Sequence, residues 1–281
     1  MREGRPSVTA RRVAAYRLGF DRLAADFGDP AADERLAADV AGAAGPEPPE
    51  PGERMIRYLR ARTSFFDRVV LNAIERGVTQ LLVVGAGYDG RALRYAREGV
   101  RWFEVDHPGT QSDKLARLGR LGIAVGGITF VGADLRDAGL ARSLLAAGFE
   151  ADAPAQIICE GVAVYLDPGV LEGLLTELRA VATPGTRLAL SASVSLPAGD
   201  QGPREHFAAS VAAAGEPARS TMTAHGAGEL LSRHSPCDDL LQHPGPLPNC
   251  RPQHPGRRLE VAAVGIDGAE DQLVTEHHVQ V

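Results

Sequence analysis

Gln80–Gly90 reads QLLVVGAGYDG, and the fold is decided there. Gln80 to Val84 is a short apolar run with branched side chains, the pattern of a strand buried on both faces. Gly85, Gly87 and Gly90 follow as a G-x-G-x-x-G turn, and a helix is predicted from Arg91 to about Glu98. Strand, glycine turn and helix in that order let a ligand approach the backbone and the helix N-terminus closely. By itself the turn suits a dinucleotide and an adenosyl ligand equally.

Downstream the pattern alternates. Strands are predicted at Arg101–Asp106, Ile128–Val131, Gln156–Cys159 and Arg187–Val194. Helices are predicted between them at Gln111–Leu121, Leu140–Ala147 and Val170–Ala182. This alternation implies an α/β fold with a mostly parallel sheet, helices on both faces and the ligand site at the C-terminal strand ends. Upstream, Arg54–Arg76 carries one apolar stripe, including Leu59, Phe66, Val70 and Ile74, and ends at Gly77. Residues 7–44 read as one or two further helices, with Val13, Tyr16, Leu18, Phe20, Leu23 and Phe27 near helical spacing. The run GPEPPEPGE at residues 45–53 breaks the chain, because proline cannot continue a helix. The expected division is an N-terminal helical cap, 1–52, and a Rossmann-like domain, 53–281. Beyond Ala198 the signal weakens: helices at about 204–214 and 227–233, a Pro- and His-rich loop at 235–257, and a late strand at 258–266.

With 281 residues the chain can bury a large core and needs no disulfides. Its net charge of −6 argues against nucleic acid as a partner. Three cysteines fit a reducing compartment. No apolar run is long enough to span a bilayer, and the Arg- and Ala-rich start lacks a secretory signal core, so a cytoplasmic protein is expected. His234, Cys237, His243, Cys250 and His254 match no common zinc spacing, and no metal is expected.

The residues just after the strands carry the chemistry. Glu104 and Asp106 close the second strand, about twenty residues beyond the glycines, where a carboxylate can accept from ribose hydroxyls. They share one face of the strand. Asp106, nearer the end, is the ribose candidate, with Glu104 a second contact or its support. Asp134 and Leu135 follow the third strand, an acid and an apolar side chain suited to the amino group and ring of adenine. An Asp in that place could equally cap a helix. Glu160, followed by Gly161, stands after the fourth strand, where it could hold a cationic amino group. Four sites after four successive strands point to an adenosyl ligand such as S-adenosyl-L-methionine.

With these residues in hand, the chain resembles the leucine carboxyl methyltransferase family and its bacterial relatives. The resemblance is carried by Arg62-Thr63 with Phe65-Phe66-Asp67, by GAGYD (85–89) with Arg91 and Arg94, and by FEVDHP (103–108) with Lys114. Asp134-Leu135, Glu160-Gly161 and Tyr165-Leu166 complete it. It spans roughly residues 55–195. It implies a class I fold and S-adenosyl-L-methionine as cofactor. Arg62 would clamp the cofactor carboxylate, Gly85 and Gly87 carry the methionyl part, Asp106 hold the ribose, Asp134 and Leu135 frame adenine, and Glu160 lie by the amino group. The expected reaction is O-methylation of a carboxylate or hydroxyl on a small molecule. A hydroxyl acceptor needs a base, for which His107, Tyr165 and His206 are candidates. The chain departs from the family at Gly90, where Thr is usual, and in its last third. Two other readings are a non-catalytic S-adenosylmethionine-binding protein and an NAD(P)-dependent oxidoreductase, whose fingerprint shares the glycines.

Overall fold

The computed structural model describes residues 6–43, 52–195, 202–233, 260–265 and 277–279. The chain opens with three helices, α1 (Val8–Arg17), α2 (Pro30–Gly42) and α3 (Glu53–Glu75). There follow β1 (Gln80–Val84), α4 (Arg91–Arg94), β2 (Arg101–Asp106), α5 (Pro108–Arg120), β3 (Ile128–Gly132) and α6 (Leu140–Ala146). Next come β4 (Gln156–Cys159), α7 (Pro168–Ala180), β5 (Arg187–Ala192) and β6 (Val194–Ser195), and then α8 (Gly202–Ala213), β7 (Met222–Thr223), α9 (Ala224–Arg233), β8 (Glu260–Gly265) and β9 (His277–Val279). The predicted loops at 45–53 and 235–257 fall wholly or largely outside the described residues. So does the His and Cys stretch from His234 to His254.

The main sheet runs β3-β2-β1-β4-β5-β8-β9, parallel except for the β8–β9 pair. From β1 the chain steps outward through β2 to β3, then returns to the other side of β1 for β4 and β5. The order reverses between β1 and β4, which opens a crevice at their C-terminal ends.

Side-chain alternation builds both layers. Leu82, Val84, Phe103, Val105 and Ile157 face α6 and α7, meeting Leu144, Leu171 and Leu175. Leu81, Val83, Trp102 and Ile158 face α3, meeting Phe66, Val70 and Ile74. Each such side chain contributes about 1.5–3 kcal/mol when buried. A one-residue slip would exchange the two sets, so the register Leu82↔Phe103 and Leu82↔Ile157 is firmly specified. A third cluster joins Ala14 of α1 and Leu36 and Val40 of α2 to Tyr88, Leu93 and Leu118. It sets the N-terminal helices over the glycine turn.

The structure corrects several boundaries. Residues 18–29 are not helical, although their apolar spacing suggested it. Phe20 leaves to pack on Tyr58 and Leu59, and Arg22 pairs with Asp67 at 2.7 Å, so tertiary contacts override the local period. α2 then restarts with Asp29 accepting from the Ala32 N–H and Pro30 at the first helical position. α4 is a single turn and not the eight residues predicted, because its arginines are drawn into ion pairs and Gly99, at φ +79°, turns the chain toward β2. β5 stops at Ala192, and Val194–Ser195 pairs instead with Met222–Thr223. The antiparallel strand β9 carried no period in the sequence.

Gly90 is also corrected. The sequence assigns it to close approach by a ligand, yet a Cβ there would collide with the carboxylate of Asp33. Asp33 is buried and receives Arg94 at 2.6 Å and Arg22 at 3.2 Å. The third glycine therefore makes room for an ion pair between the N-terminal helices and α4. Gly90→Thr, which restores the residue usual in the family, should destabilise the protein by about 2–4 kcal/mol through overpacking and loss of that pair. Urea unfolding tests this, and the Gly90→Thr, Asp33→Ala double variant should lose clearly less than the sum of the singles. Strict additivity would mean that the two residues do not compete for space.

Candidate functional site

A cavity of about 710 Å³ opens at the C-terminal ends of β1, β2, β4 and β5, roofed by α1 and by the start of α3. Gly85 and Gly87, with φ of +67° and +51°, turn its floor. That volume matches a drug-sized ligand site.

Asp106 lies at the end of β2 and lines this cavity. Its carboxylate accepts the N–H of Gly87 at 2.5 Å and of His107 at 2.7 Å. Burial raises its pKa, and the two backbone donors oppose that only in part. Glu104 sits two residues earlier on the same face but does not reach the cavity. Its carboxylate is 2.5 Å from the Lys114 ammonium, both groups being only 2 % exposed, and Lys114 also donates to the Asp89 carbonyl at 2.6 Å. Of the two roles left open for Glu104, direct contact has no geometry behind it. Glu104 supports the turn through Lys114.

Asp134 and Leu135 line the same cavity beyond β3. Asp134 does not cap α6, whose N-cap is Gly139. It pairs with Arg136 at 2.5 Å, and this hydrogen bond outweighs partial burial and brings its pKa down to about 2.

At the opposite end an ion cluster forms. Glu160, after β4, receives Arg62 Nε at 2.9 Å, Arg91 at 2.6 Å and Arg17 at 2.8 Å. Burial would raise the Glu160 carboxyl, but Arg17, Arg91 and Arg62 together hold it far below the usual carboxylate range. Arg91, with no exposed surface, also binds Asp89 at 2.5 Å, Asp67 at 2.6 Å and the Thr63 carbonyl at 3.1 Å. The family resemblance brought Arg62 to notice and the strand order Glu160, without showing that they touch. Neither gave a sign of Arg17, which reads as a solvated helix arginine.

The three base candidates fare differently. His107 caps α5: its Nδ1 accepts the Gly109 N–H at 3.2 Å, so Nε2 carries the proton and neither nitrogen offers a free lone pair. Tyr165 stands in a 3-10 turn, Ala163–Tyr165, against the cavity, and burial raises its phenol further above neutrality. His206 is on α8, and its side chain lies outside the described set. Sequence reasoning also missed Glu216, which follows α8. It accepts from Ser7 Oγ at 3.0 Å, the Val8 N–H at 2.8 Å and the Thr9 hydroxyl, fastening the start of α1 across the cavity.

Residues 7–179, more than half of the chain, match the family model for leucine carboxyl methyltransferase. The chain belongs to this family. It is 38 % identical over 169 residues to a protein of Mycobacterium sp. (strain KMS) provisionally named an S-adenosyl-L-methionine-dependent methyltransferase, with 59 % of this chain and 52 % of the relative covered. A similarly named protein of Mycolicibacterium smegmatis (strain ATCC 700084 / mc(2)155) is 32 % identical over 222 residues, covering 72 % and 70 %. A solved structure from Thermobifida fusca YX, provisionally named a methyltransferase, is 19 % identical with a TM-score of 0.48, covering 88 % of this chain and 90 % of that one. The chain spans about half the length of the first of these curated relatives. No helix among the described residues is long and apolar enough to cross a membrane.

The ion cluster has a pH signature. Burial alone would raise the Asp67 carboxyl, but Arg91 and Arg22 outweigh it and hold it at about 2 against an ordinary 3.8. The folded value lies below the unfolded one, so the stabilisation is complete above about pH 4 and fades as pH falls toward about 2. It amounts to something on the order of 2 kcal/mol. Asp67→Asn should flatten that acid limb and lower stability at neutral pH by about 3–5 kcal/mol, since it leaves two buried arginines underpaired. Chemical unfolding across the acid range measures both. A variant keeping the parent's acid slope would rule out Asp67 as the titrating group.

Proposed function

We propose that this family member is an S-adenosyl-L-methionine-dependent methyltransferase acting on a carboxylate of a small molecule. The observation that carries this reading is the polarity of the cavity at the strand ends. Two strand-end carboxylates, Asp106 and Asp134, stand at one end, and a carboxylate–guanidinium pair, Glu160 and Arg62, at the other. Hydroxyls and an amino group at one end of a ligand, with an ammonium and a carboxylate at the other, complement that set.

The residues fit the cofactor as follows. Asp106 holds the ribose, Asp134 and Leu135 hold adenine, Gly85 and Gly87 admit the methionyl chain, Glu160 takes the ammonium and Arg62 the carboxylate. When bound, that cofactor supplies an electrophilic methyl group on cationic sulfur. The protein orients the acceptor and keeps the site dry, which can lower a barrier by about 7–11 kcal/mol.

The acceptor half of the cavity is walled by Val13, Tyr16, Tyr58, Leu59 and Phe207, so an apolar body suits it. Every described carboxylate lining the cavity already accepts from a protein donor, so none stands as a bare base. Asp89, Asp106, Asp134, Glu160 and Glu216 are all hydrogen-bonded, and His107 is committed to its cap. An acceptor oxygen that is already ionised needs no base, which favours a carboxylate over a hydroxyl. Family membership sets the nicotinamide reading aside.

Asp106→Ala should weaken S-adenosylhomocysteine binding by about 1.5–3 kcal/mol, roughly tenfold or more, as charged hydrogen bonds are lost. Calorimetric titration reads this directly. Arg62→Lys should bind little better than Arg62→Ala, because an ammonium cannot reproduce the planar fork. Equal affinity of wild type and Arg62→Lys would count against a guanidinium clamp. Product formation from labelled cofactor with a panel of aromatic and aliphatic acids, set beside the matching alcohols, tests the acceptor class.

A further inference from the structure

Arg17 is the member of the ion cluster whose place is least explained. It sits at the last residue of α1, in the cavity wall, with its side chain 10 % exposed. One terminal nitrogen meets Glu160 at 2.8 Å, and the other lies 3.5 Å from Asp89. Its Nε–H is buried and has no hydrogen-bond partner. A buried donor without a partner is rare, because it loses water and gains nothing in return.

Glu160 is surrounded by cations. Arg91 cannot leave, since it also holds Asp67, Asp89 and the Thr63 carbonyl. Arg62 is anchored on the long helix α3. Arg17 pairs with Glu160 and Asp89 but leaves its Nε–H unmatched, and it belongs to a separate, short helix. A further cation arriving at Glu160 would face three guanidiniums, and the one with an unmatched donor on a separate helix is the one placed to turn away.

We propose that Arg17 is a resident counter-ion which the ammonium of the cofactor displaces, so that α1 responds to cofactor binding. This rests on the reading of Glu160 as the ammonium site and extends it to the wall of the acceptor half. Val13 and Tyr16, which line that half, lie on the same helix within four residues of Arg17. The start of α1 stays pinned by Glu216, so release of Arg17 frees the end of the helix nearest the acceptor.

The test compares two nucleosides, S-adenosylhomocysteine and 5′-methylthioadenosine, of which the second lacks the amino-acid end. By calorimetry on the full chain, Arg17→Ala should bind S-adenosylhomocysteine about fivefold or more tighter than wild type, roughly 1 kcal/mol. Affinity for methylthioadenosine should be the same in both proteins. In wild type, hydrogen exchange of residues 8–17 should quicken with S-adenosylhomocysteine and not with methylthioadenosine, a readout that needs no variant. Weaker or unchanged binding of S-adenosylhomocysteine by Arg17→Ala, or protection of α1 by it in wild type, overturns the displacement. Wild type that binds methylthioadenosine but not S-adenosylhomocysteine also overturns it and leaves the adenosyl site standing. Failure of both nucleosides to bind wild type takes down the proposed function with it.

Discussion

The guanidinium of Arg91 ties together pieces of chain that the sheet alone would leave loosely related. It is wholly buried, and its donors are spent on Asp67 of α3, Asp89 of the glycine turn, Glu160 beyond β4 and the Thr63 carbonyl. A buried charge is costly unless it is paired and hydrogen-bonded, and a planar fork can be matched in few arrangements. Helix α3, the turn after β1 and the end of β4 therefore have one mutual position in which no partner is orphaned. Hydrophobic packing brings these elements to the same place. Arg91 sets their relative angle and depth, and with them the shape of the cavity floor.

The backbone scaffold was largely legible because its signals are local. β1, β2 and β4 begin and end where alternating or continuous apolar runs say they should, and α3 ends at a glycine with positive φ, as its sequence implies. The acids Asp106, Asp134 and Glu160 were readable for a related reason: in a parallel sheet, position after a strand translates directly into position in space. Partners of charged side chains were not readable. Glu104 and Asp106 share one face of the strand on paper, and Lys114, nearly two turns into α5, draws Glu104 away from the cavity. Gly90 looked like a ligand-contacting glycine, and only the fold shows Asp33 filling its space.

The residues that escaped sequence reading share one property. Arg17, Asp33 and Glu216 each act on a segment remote in the chain: Arg17 on Glu160, Asp33 on Arg94, Glu216 on the first turn of α1. None lies in a periodic pattern that its chemistry disturbs. Their signal is a pairing, and a single sequence carries no pairings. For the same reason the half of the cavity walled by α1, α3 and the region of α8 to Pro217 is less legible than the half at the strand ends, having no strand order to align its parts.

The charges around the cavity also constrain what it can do. Each acid that faces it already accepts from a donor of the protein, so a ligand donor shares or replaces a partner and does not meet a bare carboxylate. Exchange of hydrogen bonds keeps the net cost of binding small, because a buried acceptor is never left bare along the way. It also makes recognition strict, since a ligand lacking a donor at one of these points would break a bond without replacing it. The same arrangement suits an acceptor that brings its own negative charge. Under the proposed function, such an acceptor would enter a site whose wall includes guanidiniums, and no proton would have to move. Recognition then depends largely on one feature, the network of paired buried charges centred on Arg91.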